Sequence, residues 1–507
     1  MTTQPELPFD LAGHALEREV PAAERHTRGQ YFTPGPLIRF VFDRLDEVGQ
    51  GPASGSLVLD PACGSGRFLG SAARRWAGLS LRGYETDPAA LAIARGSLPG
   101  ASIAGTSFLD APGRGDVDLV VGNPPYLRDR GAKRDVYVDF VEKAFDHLRP
   151  GGVLALVLSN AWLDVEYGAA VRRVLLSRSR ILWLVESGAE RWFPGAKVHT
   201  MVLVAQRADG DGDVRLGATR EALPAPPEVR VRRQSSLPDE AWGPLLRASD
   251  EFLALRDRGV PLGELFDVRR GFTTNDNAFF YPPADAGIEA SASAPVFRSP
   301  KRVASVRAVA EELPDRVFLG GPDDGPGAAA WVKARHPDGA PRLPRGVSSR
   351  QFLLKGYAAR FRQPLFDRPV LCDQQLYAVT PREGVEVSPE AVAGLLNSTW
   401  MHLSLEYAGR VNFGDGVLWL GLRDARSRLR IPDLRRASAR VLDAIADGFR
   451  GLPDGPVPPI SRLYADAAWA GPMDVVDAAV SDLLGIDSTA TAALRAELVA
   501  RTATRTG

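Results

Sequence analysis

The first half of the sequence predicts an α/β fold, a doubly wound and mainly parallel sheet, followed by a second domain of mixed α+β character. Three observations carry this. Largely apolar runs of strand length, such as Val117–Val121, broken only by Asp118, and Val153–Leu158, recur with helix-patterned segments between them. These runs do not alternate with polar residues, so each strand is covered on both faces, as helices cover a parallel sheet. The pattern then breaks at Arg207–Val229, "RADGDGDVRLGATREALPAPPEV", into the Asp, Gly and Pro of a domain boundary. We therefore expect one domain over 1–213 and another over 214–507.

The elements follow in order. Pro36–Val48 has helical spacing, Gly55–Ala62 is a strand ending in a loop, and Gly66–Gly78 returns to helix. Leu79–Asp87 is the second strand, Pro88–Leu98 a helix, Ala101–Asp110 the third strand and Val117–Tyr126 the fourth. Val136–Gly152 is an amphipathic helix closed by Pro150 and two glycines, a common helix stop. Val153–Asn160 is a fifth strand, and Arg180–Ser187 with Val198–Arg207 forms a last strand pair. The remaining chain is irregular and rich in Arg, Gly and Pro, until Met473–Asp487 and an Ala-rich terminal stretch restore a helical pattern.

Composition excludes several classes. At 507 residues, 45% hydrophobic and 24% charged, the chain has the make-up of a globular protein with more than one core. No apolar run approaches the roughly 18–20 residues of a membrane span, and "MTTQPELPFD" lacks the layout of a secretory signal. Two cysteines, Cys63 and Cys372, supply neither a disulfide framework nor a cysteine-rich metal site. No metal is expected, and the expected setting is a reducing cytoplasm. The 62 cations balance 62 acids, which argues against a chain basic throughout but leaves room for a local basic patch. Only six of those cations are lysines. Such arginine abundance reflects genome composition and does not by itself point to nucleic acid.

In open parallel sheets, ligands bind beyond the carboxyl ends of the strands, near the reversal in strand order. The unusual residues fall there. "LDPACGSGRFL" (Leu59–Leu69) follows the first strand, and Gly64 and Gly66 permit a tight turn and close approach of backbone to ligand. A dinucleotide fingerprint asks for a third glycine where Leu69 stands, so a pyrophosphate cradle is not indicated. Glu85 closes the second strand, 19 residues after Gly66, where a carboxylate can accept both hydroxyls of a ribose. A glycine turn with a ribose acid and no phosphate cradle suits a nucleoside cofactor such as S-adenosylmethionine.

The fourth strand stops at "GNPPY" (Gly122–Tyr126). Pro124 and Pro125 lack N–H donors and fix φ, so the strand cannot continue, and Pro124 drives Asn123 toward an extended shape. Read alone, the tetrapeptide Asn123–Tyr126 is a turn with a surface tyrosine. Read at the ligand edge, it brings the Asn123 side chain and the Pro124 carbonyl to face one point as two acceptors. Gripping both hydrogens of an aromatic amino group favours a pyramidal nitrogen, whose lone pair can then attack a sulfonium methyl. Tyr126 offers a flat face to a base turned out of a helix, and stacking of this kind is worth roughly 1–3 kcal/mol per base. Flipping costs a few kcal/mol, so such a platform is a physical requirement.

Together these motifs resemble the amino-methylating DNA methyltransferases of the adenine group, typified by the TaqI methyltransferase and its Eco57I-like relatives. The resemblance covers about Arg28 to Arg207 and, more loosely, the C-terminal half. It implies a Rossmann-like class I S-adenosylmethionine-dependent catalytic domain and a C-terminal DNA target-recognition domain ending in helices. "RGQYFTP" implies Thr33 near the methionine carboxylate, and "DPACGSGRFL" places Asp60, Ala62, Gly64 and Gly66 around the methionine part. "GYETDP" puts Glu85 on the ribose. Ser107, Phe108 and Pro125 complete the implied cofactor set. Where the family usually has an acid facing the cofactor's adenine, "GTSFLD" offers Ser107 or Asp110. Asn123, Pro124 and Tyr126 would be catalytic, with Phe193 of "ERWFPGAKVHTMVLV" as second aromatic and Lys197 following at a position often basic in relatives. The FTP element precedes the glycine loop and the variable region comes last, which is the γ order.

The implied partner is double-stranded DNA, without a membrane. Arg342–Arg368 carries seven cations, including Arg350, Lys355, Arg360 and Arg362, against Asp367 alone. With Phe352, Tyr357 and Phe361 interleaved, this is a candidate phosphate-tracking surface. Arg269, Arg270, Arg410 and Asn412 sit beside glycine-containing loops and are candidate base readers. The expected activity is transfer of methyl from S-adenosylmethionine to the 6-amino group of a flipped adenine, by a monomer at a bacterial or archaeal nucleoid. A separately encoded restriction nuclease or defence-system partner is compatible with the sequence. Cytosine amino methylation and protein-glutamine methylation are the alternatives in chemistry. A degenerate DNA-binding specificity protein is the alternative without catalysis, disfavoured because Asn123, Pro124, Tyr126 and Phe193 are all present.

Overall fold

The computed structural model describes residues 33–506 except 127, 130–133, 165–167, 188–191, 194–198, 220–222, 224, 340, 342–345 and 412–415. The chain divides into two compact units between Arg247 and Ala248.

In the first unit the apolar runs form strands β1 (Leu57–Asp60), β2 (Ser80–Tyr84), β3 (Ser102–Ala104), β4 (Val117–Gly122), β5 (Leu148–Ser159), β6 (Arg180–Ser187), β7 (Thr200–Gln206), β8 (Asp213–Thr219) and β9 (Glu228–Arg233). They build one sheet in the order β9-β8-β6-β7-β5-β4-β1-β2-β3. Strands β3 to β5 pair in parallel through β2, β1 and β4. β7 runs antiparallel between β5 and β6, which makes the expected strand pair a reversed insertion in a doubly wound sheet.

The linking helices are α1 (Gly35–Glu47), α2 (Arg67–Arg75), α3 (Pro88–Ser97), α4 (Tyr137–His147) and α5 (Gly168–Arg178). α1 has Pro in its first turn, where a missing N–H costs nothing. It buries Leu37, Ile38, Phe40, Val41 and Leu45 in a cluster shared with Val58, Leu119, Val121 and Val157 of the sheet. α4 ends at His147, and β5 starts at once, so Pro150 and its glycines lie within the strand's first residues and not in the helix cap.

The boundary expected at 213/214 falls at the first residue of β8. β8 pairs in parallel with β6 and carries β9 antiparallel beyond it. The Asp- and Gly-rich stretch is thus a turn between strands of one sheet, and the first unit closes at Arg247. That residue is pinned by a part-buried ion cluster, 2.9 Å from Glu186 and 2.7 Å from Asp164.

The second unit has a mixed sheet in the order β10-β15-β13-β14-β11-β12. Its strands are β10 (Phe266–Arg270), β11 (Ser293–Phe297), β12 (Arg316–Phe318), β13 (Ser348–Leu354), β14 (Leu365–Cys372) and β15 (Leu376–Pro381). Its longer helices are α6 (Pro326–Arg335), α7 (Pro389–Leu396), α8 (Thr399–Ala408), α9 (Ala439–Gly451), α10 (Ala467–Leu484) and α11 (Ser488–Thr506). No helix among the described residues is long and apolar enough to cross a membrane.

Candidate active site at the switch between β1 and β4

From β1 the chain winds outward through β2 and β3, then returns to place β4 on the other side of β1. That reversal opens a crevice at the carboxyl ends of β1 and β4, where Asp60 and Gly122–Asn123 lie. Gly122 is required for the two strand ends to close up. A Cβ there would stand 2.5 Å from Asp60 Oδ1.

Asp60 is 1% exposed, and its Oδ1 accepts the Ala62 N–H at 3.0 Å. Burial drives its carboxyl up to about 8, the Ala62 bond opposes this, and the neighbouring Glu85 charge adds to it. Gly64 and Gly66 hold left-handed backbone (φ +55° and +90°), which L side chains rarely adopt. A Cβ at Gly66 would also meet Leu98 Cδ1 at 2.8 Å, whereas the space beside Gly64 is open. The second sequence-read acid joins this loop. Glu85 Oε2 accepts the Gly64 N–H at 2.8 Å and Oε1 accepts the Asp87 N–H at 2.7 Å. Burial raises its pKa against those bonds. The Thr86 N–H also bonds this carboxylate, and its roughly four acceptor positions still leave capacity for a ligand. Between the glycines, the buried Ser65 Oγ has no hydrogen-bond partner among the described residues. An open approach at Gly64, a carboxylate with acceptor capacity to spare and an orphaned hydroxyl together fit a hydroxyl-bearing nucleoside.

Across the crevice, Asn123 is held from two sides. Its Nδ2 donates to Thr33 Oγ1 at 3.1 Å, and its Oδ1 accepts a short hydrogen bond from the Tyr126 hydroxyl. The Tyr126 hydroxyl also lies 3.4 Å from the Val157 carbonyl oxygen on β5. Thr33 itself is buried just before α1. The structure thus joins the first and fourth sequence motifs through one amide. Pro124 is buried and Pro125 half-buried behind it.

Other sequence-read residues sit differently. Ser107 accepts the Leu109 N–H at 3.2 Å and caps the turn Phe108–Asp110, while Asp110 is exposed. Phe108 is buried, with its ring stacked 5.7 Å from Phe140 and packed on Tyr84 and His147. Phe193 is 3% exposed and belongs to the core cluster of α1 and the sheet. Lys197 and Asn412 lie outside the described residues, as do Arg28–Phe32 of the first motif.

In the second unit the interleaved aromatics Phe352, Tyr357 and Phe361 are core residues. Arg350 donates to the Phe366 carbonyl at 2.9 Å, and Arg362 to the carbonyls of Val303, at 2.7 Å, and Pro300. Both brace backbone, and burial holds Arg362 below the usual guanidinium range. Arg410 pairs with Asp424 at 2.9 Å. Arg360 is exposed and Lys355 half-buried. Arg269 pairs with Asp267 at 2.5 Å, and Arg270 donates to Gln374 Oε1 at 2.8 Å, both from exposed positions on β10.

Sequence reasoning passed over Ser65 and the ion cluster at the ends of β5 and β6, where Asn160 Nδ2 donates to Glu186 Oε1 at 2.8 Å. An acid closing an otherwise apolar strand, "LWLVES", was the available signal for the cluster.

Residues 101–193 match the model of the Eco57I restriction-modification methylase family. The Type II methyltransferase M.XamI of Xanthomonas campestris pv. amaranthicola is 25% identical over 54% of this chain and 55% of its own length. M.TthHB8I of Thermus thermophilus is 31% identical over 49% of this chain and 60% of its own. The chain thus spans little more than half the length of these relatives. Among solved structures, the Type IIL restriction-modification enzyme MmeI, in complex with DNA, superposes with a TM-score of 0.63, covering 98% of this chain and 82% of that one at 13% identity. The chain shares the fold of that solved enzyme, and its residues 101–193 are similar to the Eco57I restriction-modification methylase family.

Proposed function

We propose that the chain is a site-specific DNA adenine methyltransferase, transferring methyl from S-adenosylmethionine to the 6-amino group of an adenine flipped out of duplex DNA. The observation that carries this reading is the Asn123 amide at the β1/β4 switch, oriented by Thr33 on one side and opening its oxygen toward Tyr126 on the other. The Thr33 bond decides which end of the amide faces the substrate. With Nδ2 committed to Thr33, Oδ1 is the acceptor left for an incoming amino group, and the Pro124 carbonyl is the second. The Tyr126 hydroxyl occupies that oxygen in this structure and stands where a substrate N–H would donate. A base entering the site displaces the hydroxyl, and the freed ring turns its face to the base.

Glu85 would hold the ribose of the cofactor, and Gly64, Ser65, Asp60 and Ala62 line the approach to its methionine part. S-adenosylmethionine, when bound, supplies an electrophilic methyl group. The protein's own task is to localise the amine's lone pair by holding both its hydrogens, and to exclude water from the crevice.

The test is to incubate the chain with duplex DNA and labelled cofactor, then identify the methylated nucleoside. The expected product is N6-methyladenine. N4-methylcytosine would move the substrate to cytosine, and a methylated protein with unmodified DNA would overturn the reading. Asn123→Ala should lower turnover by about a hundredfold or more, with cofactor affinity unchanged.

A further inference from the structure

The second unit contains a cavity of about 460 Å³ lined by three cations, Arg298, Lys301 and Arg302, together with Gln374 and Gln375. Two carboxylates also line it, and both are engaged. Asp315 lies 3.4 Å from both Arg298 and Arg302. Asp373 accepts the Tyr281 hydroxyl at 2.7 Å and the Gln375 N–H at 3.1 Å. The cations therefore outnumber the acids, and the single carboxylate of Asp315 is shared between two guanidinium groups.

The cavity is built rather than accidental. The Arg298 guanidinium lies 3.7 Å above the Tyr281 ring, a cation–π contact that fixes it in place. Tyr281 is in turn held by Asp373. Gln374 is tied on its other side, where its Oε1 accepts from Arg270 at 2.8 Å and from Thr273 at 3.2 Å. Arg270, exposed on β10, thus shares a hydrogen-bonded wall with the cavity. Lys301 and Arg302, the last two residues of the turn Pro300–Arg302, are exposed. Preorganised guanidinium groups with an exposed ammonium and amide donors suit an anion carrying several acceptor oxygens, and phosphodiesters are recognised in this way.

We propose that this cavity seats a backbone phosphate of the DNA substrate, with Lys301 and Arg302 neutralising it and Arg298 and Gln374 orienting it. The inference rests on the DNA-methyltransferase reading and adds a binding site to it. It assigns DNA contact to a stretch, Arg298–Arg302, outside the Arg342–Arg368 segment that composition alone suggests.

Its test uses the full chain and a fluorescein-labelled duplex of random sequence, with affinity measured by anisotropy across a salt series. Leaving one phosphate without its cations should reduce the slope of log K against log salt by about one. Lys301→Ala and Arg302→Ala should each lower it by part of that, and the double variant, which leaves the one phosphate without either cation, by about one. Lys333→Ala, an exposed cation on α6, should leave the slope as it is. Lys301 and Arg302 are exposed, so their removal leaves the fold intact, and matching thermal unfolding curves check this. A wild-type chain without affinity for the duplex would sink the DNA reading itself. Wild-type affinity with unchanged slopes in the cavity variants, or an equal loss in Lys333→Ala, would overturn the phosphate seat alone.

Discussion

Asn123 concentrates the residue-scale chemistry, because its amide is chemically two-sided and only its surroundings decide which side works. Thr33→Val keeps the shape and removes the acceptor that fixes Nδ2. Loss of one such hydrogen bond should cost about tenfold in turnover, with cofactor affinity unchanged and activity restored by Thr33→Ser. A raised cofactor Kd with unchanged turnover would instead put Thr33 on the methionine carboxylate, as the sequence resemblance implies. Asp60 gives a second residue-scale prediction. Its folded pKa, about 8, is above the unfolded value near 3.8. The native state therefore binds the extra proton, and the contribution to stability is full below pH 4 and lost as pH rises toward 8. Urea midpoints measured across that range should fall in the wild type and fall less in Asp60→Asn.

At the scale of elements, the glycine loop and the carboxyl edge of the sheet are the decisive pieces. Gly66 caps α2 with φ +90°, and its missing Cβ makes room for Leu98 of the following helix connection. Gly66→Ala should destabilise the first unit by about 1–2 kcal/mol through the left-handed backbone alone, and the Leu98 contact adds to that. Urea unfolding would show it. Across the sheet, Arg247 holds Glu186 and Asp164 at the ends of β6 and the turn after β5. Replacing it with Met leaves two part-buried carboxylates without their cation, a loss of about 3–5 kcal/mol. A calorimetric or denaturant measurement giving less than about 1 kcal/mol would show that the cluster is solvated and of little structural weight.

For the whole molecule, the prediction concerns where methyl groups go. DNA from a methylation-free host expressing the chain should carry N6-methyladenine at one recurring sequence context, as mapped by long-read sequencing. Scattered modification without a context would mean that the second unit does not read bases. The mixed sheet of that unit was not legible from the sequence. Its strands pair across long sequence separations, and Pro295, Pro369 and Pro381 fall within them, so no local period announces them. The boundary at 213/214 was misplaced for a related reason. A turn between two paired strands and a linker between domains share the same Asp, Gly and Pro composition, and only the pairing of β8 with β6 tells them apart.

By itself the sequence determined the doubly wound sheet, the glycine loop with Glu85, and the stop at Asn123–Tyr126. These are local consequences of apolar runs, of glycine's conformational range and of proline's missing donor. Tertiary structure alone decided that Thr33 meets Asn123 across 90 residues of chain, that Tyr126 occupies the amide oxygen, and that Arg350 and Arg362 brace backbone while Arg298–Arg302 open onto a cavity. The reason is physical. Backbone preferences are written in neighbouring residues, whereas the partner of a polar side chain is set by which distant strands and loops the fold brings within hydrogen-bonding reach of it.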